Sequence, residues 1–194
     1  MKPFIFASRI LFPTFTLLLL HGCAAAVVTG GTAGAAMAVD RRTAGTVIED
    51  QAIEFKAAQA FFADKEINEN AHINVTSYNL VVLVTGEAPS EELRDRIIKI
   101  VRDIPKVSHV YNEVTIAAPS AYVSRSSDSL ITSKVKTKLL TMENFNGISV
   151  KVVTEKGVVY LMGLQTREEA ERATEAARQV GGVQKVVKLF QYIE

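Results

Sequence analysis

The chain has 194 residues, 22 Lys+Arg against 21 Asp+Glu, a formal charge of +1, and hydrophobic residues at 48%. That balance gives no ground for nucleic-acid binding. The lone cysteine, Cys23, excludes an intramolecular disulfide framework.

In chain order, Lys2 and Arg9 open the sequence, and an apolar stretch from Ile10 ends in four leucines at Leu20. This is a secretory signal layout, too short and wrongly flanked for a transmembrane helix. Leu20-His21-Gly22-Cys23 follows and resembles the bacterial lipobox. There the peptide bond before the cysteine is cut after the thiol has received diacylglycerol. Residues 1–22 are thus expected to be removed and Cys23 to be lipidated. Two or three acyl chains hold almost irreversibly, at about 0.8 kcal/mol per buried methylene. Ala24 follows the cysteine, where an Asp would retain an enterobacterial lipoprotein at the inner membrane. The expected location is therefore the outer membrane, lipid-anchored, at its periplasmic face. The Ala/Gly/Val/Thr-rich segment 23–46 reads as a tether. No Gly-Lys-Ser/Thr follows its glycines, so it is not a phosphate loop.

Residues 47–117 and 127–194 repeat one pattern, with a linker at 118–126 that holds Pro119 and several serines. Asp50-Gln51-Ala52-Ile53 answers to Asp128-Ser129-Leu130-Ile131. Val81-Val82-Leu83-Val84-Thr85-Gly86 answers to Val158-Val159-Tyr160-Leu161-Met162-Gly163, and Glu91-Glu92 to Glu168-Glu169. Each copy closes on a valine-rich stretch. In the second, Ile131, Val135, Leu139 and Met142 have helical spacing, and Ser127 or Asp128 is expected to cap that helix. Two strands then meet at a turn over Glu155-Lys156-Gly157. A helix over Thr166–Val180 and a last strand complete the order αββαβ. The matching turn in the first copy is expected at Ser77-Tyr78-Asn79. The fold class is α+β: two tandem, separately folded domains, each a three-stranded mixed sheet covered by two helices.

This pattern, with glycines at the ends of the apolar strands, resembles the BON domain. A lipobox, a tether and two BON domains together resemble the dual-BON outer-membrane lipoproteins. That resemblance implies a non-enzymatic protein without cofactors, in which the second BON domain binds anionic phospholipids through its first helix. It implies a role in envelope integrity, including at division sites. One such relative carries tryptophan where this chain has Leu130, and Trp anchors better at an interface.

The residues agree with a binding role. No catalytic constellation and no His or Cys pair with metal-ligand spacing is evident. The carboxylate pairs Glu91-Glu92 and Glu168-Glu169 sit at helix starts, where they complement the helix dipole. Residues 47–117 carry 7 Lys+Arg and 12 Asp+Glu, a net of −5; residues 118–194 carry 11 and 8, a net of +3. An anionic partner should prefer the second half. Leu130, Lys134 and Lys138 fall at i, i+4, i+8 on one helix face and are the expected lipid contacts. The first helix of the first repeat has Lys56 among Glu49, Asp50 and Glu54 and is expected not to bind anions. A second reading is a periplasmic adaptor that docks envelope proteins, such as outer-membrane assembly or peptidoglycan-remodelling machinery, on its acidic first repeat. A third is a hydrolytic enzyme.

Overall fold

A computed structural model describes residues 40–118 and 122–194, and Cys23 lies outside them. The elements run α1 (Ala44–Ala63), α2 (Lys65–Asn70), β1 (His72–Tyr78), β2 (Val81–Ala88), α3 (Glu91–Arg102) and β3 (His109–Ile116). The second repeat follows with α4 (Tyr122–Leu140), a 3-10 turn (Gly147–Ser149), β4 (Val150–Glu155), β5 (Val158–Gln165), α5 (Arg167–Arg178) and β6 (Lys185–Tyr192). Each repeat is the expected αββαβ unit, and the first adds the short α2. Asp64 caps α2 by accepting the Glu66 and Ile67 amides, and Ile67 is buried beneath it.

Both sheets are mixed. β2 is central, antiparallel to β1 and parallel to β3; β5 stands in the same relation to β4 and β6. The crossover helices α3 and α5 begin at Ser90 and Thr166, whose hydroxyls accept the Leu93 and Glu169 amides. Glu169 returns a bond to the Thr166 amide and closes a capping box. Glu91, Glu92 and Glu168 also lie in first turns, as the dipole argument requires.

Alternation along the central strands separates two cores. Val82 and Val84 face the helices, against Ile53, Leu93, Ile97 and Val101. Val159 and Leu161 do the same in the second repeat, against Val135, Leu139, Ala173 and Ala177. The intervening residues Leu83, Tyr160 and Met162 point the other way and join Tyr78 and Leu189 in a third cluster shared by both repeats. The two sheets therefore pack face to face, and residues of β2 and β5 are buried on both sides. The two expected domains therefore share a buried face. A sheet with helices on one face leaves its other face needing cover, and here each repeat covers the other.

Two boundaries differ from expectation. The helix α1 starts at Ala44, inside the segment read as tether, with Thr43 as its cap. Asp40, Arg41 and Arg42 before it are bonded into the fold. Arg42 lies over the Tyr78 ring and pairs with Asp40 and with buried Asp50 at 2.7 and 2.8 Å. The helix α4 starts at Tyr122, within the expected linker, so neither Ser127 nor Asp128 caps it.

A candidate membrane-facing helix

Asp128 has another task. Its buried carboxylate accepts the backbone amides of Lys156 and Gly157, both at 2.8 Å, and so holds the β4–β5 turn against α4. Lys156 and Gly157 have φ of 50° and 74°, a left-handed pair that suits a tight hairpin. The first repeat does the same. Asp50 accepts the Asn79 and Leu80 amides at 2.8 and 2.9 Å and the Ser77 hydroxyl at 2.7 Å. Asn79 and Leu80 supply the left-handed pair, one residue beyond the turn expected.

Burying Asp128 removes the one carboxylate of α4 from its outer surface. Ile131, Val135 and Leu139 face the core. On the outside stand Leu130, 63% exposed, and Lys134 and Lys136, both exposed. Lys138 is half-buried, with its Nζ donating to Gln179 Oε1 at 2.8 Å. The expected trio thus shares one side of the helix, but Lys138 is already partnered. Between the lysines, Ser133, Thr137 and Thr141 donate their hydroxyls back to the carbonyls of Ser129, Ser133 and Thr137. These hydroxyls are satisfied within the helix, which lowers the cost of bringing the face against a less aqueous phase.

The helix end adds residues that spacing alone did not single out. Leu140 and Ile148 are 56% and 54% exposed. With Tyr78, Lys136, Lys151 and Arg42 they line a shallow cleft of about 290 Å³. Its walls are aliphatic and its charges cationic. Glycine makes this corner possible: a Cβ on Gly147 would stand 2.5 Å from the Leu139 carbonyl oxygen. The signal for the cleft was the alternation of Lys136, Leu140 and Ile148, spread over a loop whose course the sequence did not show.

The groups with shifted titration lie in structural contacts. Arg41 makes a two-pronged bond to Glu169 at 2.6 and 2.7 Å and donates to the Leu164 carbonyl. The Arg41 bond, with the Thr166 amide, holds the Glu169 carboxyl down to about 2. Burial raises Glu155, which accepts from Asn74 Nδ2 across the seam between the repeats. Burial and the neighbouring Glu113 carboxylate raise the Tyr160 phenol. Of these groups Glu155 lies beside α4, in a cleft it lines with Ser129 and Ser133. Among the described residues, no group of three His, Cys, Asp or Glu is placed to hold a metal ion. No helix among them is long and apolar enough to cross a membrane.

Two small αββαβ units, back to back, each with a helix aspartate clasping its hairpin, define the class of the protein. Residues 49–118 and 127–194 both match the BON domain, and the chain belongs to the BON-domain family. More particularly it is of the dual-BON type of Outer membrane lipoprotein DolP from Haemophilus influenzae. The two are 36% identical over 91% of this chain and 92% of that protein. It is also 36% identical to the 21 kDa hemolysin of Actinobacillus pleuropneumoniae, over 80% of each chain. Osmotically-inducible protein Y of Escherichia coli is 27% identical over 83% of this chain and 81% of that one.

Proposed function

We propose that this protein is an outer-membrane lipoprotein, anchored through Cys23 and facing the periplasm. In this reading it has no catalytic task. It binds anionic phospholipids through α4 of its second BON domain and so supports envelope integrity, including at division sites. The similarity to an outer membrane lipoprotein over nearly the whole chain supports the location. One observation carries the binding. The outer face of α4 has lysines at 134, 136 and 138 and no exposed carboxylate, because Asp128 is turned into the hairpin. Each lysine near an anionic surface contributes about 1 kcal/mol. Leu130 and, at the helix end, Leu140 and Ile148 are free to enter the interface.

The test is co-sedimentation of the unlipidated chain with phosphatidylglycerol and with phosphatidylcholine vesicles. Binding to the former alone, falling with salt, is expected because exposed charges are screened over about 8 Å at physiological ionic strength. Lys134→Glu with Lys138→Glu should weaken it at least tenfold, since about 1.4 kcal/mol is a factor of ten. Leu130→Trp should strengthen it. Equal binding to both vesicles, or by the double Glu variant, overturns the reading. For the anchor, Cys23→Ser should abolish incorporation of labelled fatty acid.

A further inference from the structure

The first helix of the first repeat is apolar on two sides. Ile53 and Ala57 enter the core. Away from them, Ile48, Phe55 and Phe62 are 66%, 68% and 76% exposed. They stand seven residues apart, close to two helical turns, so they form one stripe over about 21 Å. Gln51, Ala58 and Gln59 are exposed along it, and Lys56 is exposed to one side. The helix is not short of carboxylates, but each is turned aside. Glu49 pairs with Lys106, Asp50 is buried in the hairpin turn, and Glu54 accepts the Ser77 amide. Among the exposed residues of α1, Lys56 is the one charged side chain.

We propose that this stripe is a homodimer contact, in which α1 of two copies pack antiparallel about a two-fold axis. The axis passes by Phe55, so Phe55 meets Phe55 of the second copy and Ile48 meets its Phe62. Two features select a second copy over other apolar occupants. Large side chains once per heptad recur at the same interval on a second antiparallel copy of the helix, so all three can be covered in one register. A bilayer asks for no such register. A helix lying on a membrane also carries a basic polar face, whereas this one offers Lys56 within a repeat of net charge −5. That net charge would hold two copies apart on most faces. This face, cleared of carboxylates, is where they can approach. The antiparallel arrangement is isologous and closes on itself. It buries on the order of 1,000 Å² in total, at the low end of specific interfaces, so a micromolar dimer is expected.

The test uses the full chain in the envelope of a Gram-negative host, with single cysteines added and wild type reporting any background from Cys23. Phe55→Cys should give a disulfide-linked dimer under mild oxidation, at least tenfold above Lys99→Cys on exposed α3. Coexpressed, differently tagged Ile48→Cys and Phe62→Cys chains should cross-link to each other more than either does to itself. In sedimentation velocity, the unlipidated chain should pass from monomer to dimer between about 1 and 100 µM. Phe55→Glu, at an exposed position, should remain monomeric. If Phe55→Cys cross-links no more than Lys99→Cys and the chain stays monomeric at 100 µM, the dimer is refuted. Should Phe55→Cys be shielded from soluble maleimide without cross-linking, the stripe faces lipid or another protein, and the proposal is likewise overturned.

Discussion

Replacing Asp128 with Ala isolates the clasp that holds each hairpin to its helix. Asp128 is 7% exposed, and its carboxylate takes two turn amides, each at 2.8 Å. A hydrogen bond to a charged group contributes about 1.5–3 kcal/mol. The clasp also lines an open cleft with His72, Thr132 and Glu155. Water entering there can solvate one freed amide, which brings the expected loss to about 3 kcal/mol. With a urea slope of about 2 kcal/mol/M, the unfolding midpoint should fall by about 1.5 M. Asp50→Ala should cost more. Asp50 is fully buried and holds a hydroxyl and the Arg42 guanidinium besides its two amides. Loss of it leaves a cation without its buried partner. Urea curves followed by circular dichroism give both midpoints. A shift below about 0.3 M for Asp128→Ala, or a milder effect at Asp50 than at Asp128, refutes the clasp.

Two further outcomes follow from the geometry. Gly86→Ala should abolish soluble expression while Gly163→Ala yields a folded but weakened protein. A Cβ at Gly86, with φ of 120°, would lie 1.9 Å from the His72 carbonyl oxygen, whereas at Gly163 the closest backbone atom is 2.8 Å away and no left-handed φ is involved. Arg41→Ala should destabilise the protein at pH 7 by under about 1 kcal/mol, since the pair is partly solvated. Because Arg41 is the largest cause, with Thr166, of the fall of the Glu169 carboxyl from 4.5 to about 2, its contribution is complete above about pH 4.5 and is lost as pH falls toward 2. Melting curves of variant and wild type should converge across that window, and a constant gap would exclude the assigned role.

Local signals made most of the fold readable. The helices announce themselves by apolar spacing and capping residues, the hairpins by left-handed turn residues, and the duplication by its order of motifs. What escaped depends on distant partners. Arg41 and Arg42 look like tether because Glu169, the partner of Arg41, lies 128 residues on. Asp128 beside Ser127 resembles a helix cap, and only the helix start at Tyr122 frees it for the turn. The exposure of Phe55 and Phe62 left no signal, because apolar spacing does not say which side of a helix has a partner. The sheet-to-sheet seam did leave a trace. Val81-Val82-Leu83-Val84 and Val158-Val159-Tyr160-Leu161-Met162 are continuous apolar runs, the mark of strands buried on both faces. A sheet with one wet face would have alternated. On α4, the positions of Leu130 and Lys134 follow from helical period alone. The hydrogen bond from Lys138 to Gln179 requires α5 to be in place.

The seam also explains how α4 can be held firmly on so small a domain. Its centre is apolar, with Leu83, Tyr160, Met162 and Leu189 in contact, but its rim is ionic and specific. Lys156, beside the α4-held turn of the second repeat, reaches fully buried Glu87 of the first at 2.9 Å. Asn74 reaches Glu155, and the Tyr160 hydroxyl reaches Glu113 at 3.2 Å. Apolar contact alone would let two sheets slide, because it has no direction. Each polar pair is satisfied in one register only, and leaving a buried charge such as Glu87 without its cation is costly. The same residue run therefore does two things. Asp128 fixes Lys156 by its backbone amide, and Lys156 fixes the first repeat by its side chain. Through that short chain of contacts α4 is held to a body larger than its own domain. Its outer face is thereby presented as a rigid surface.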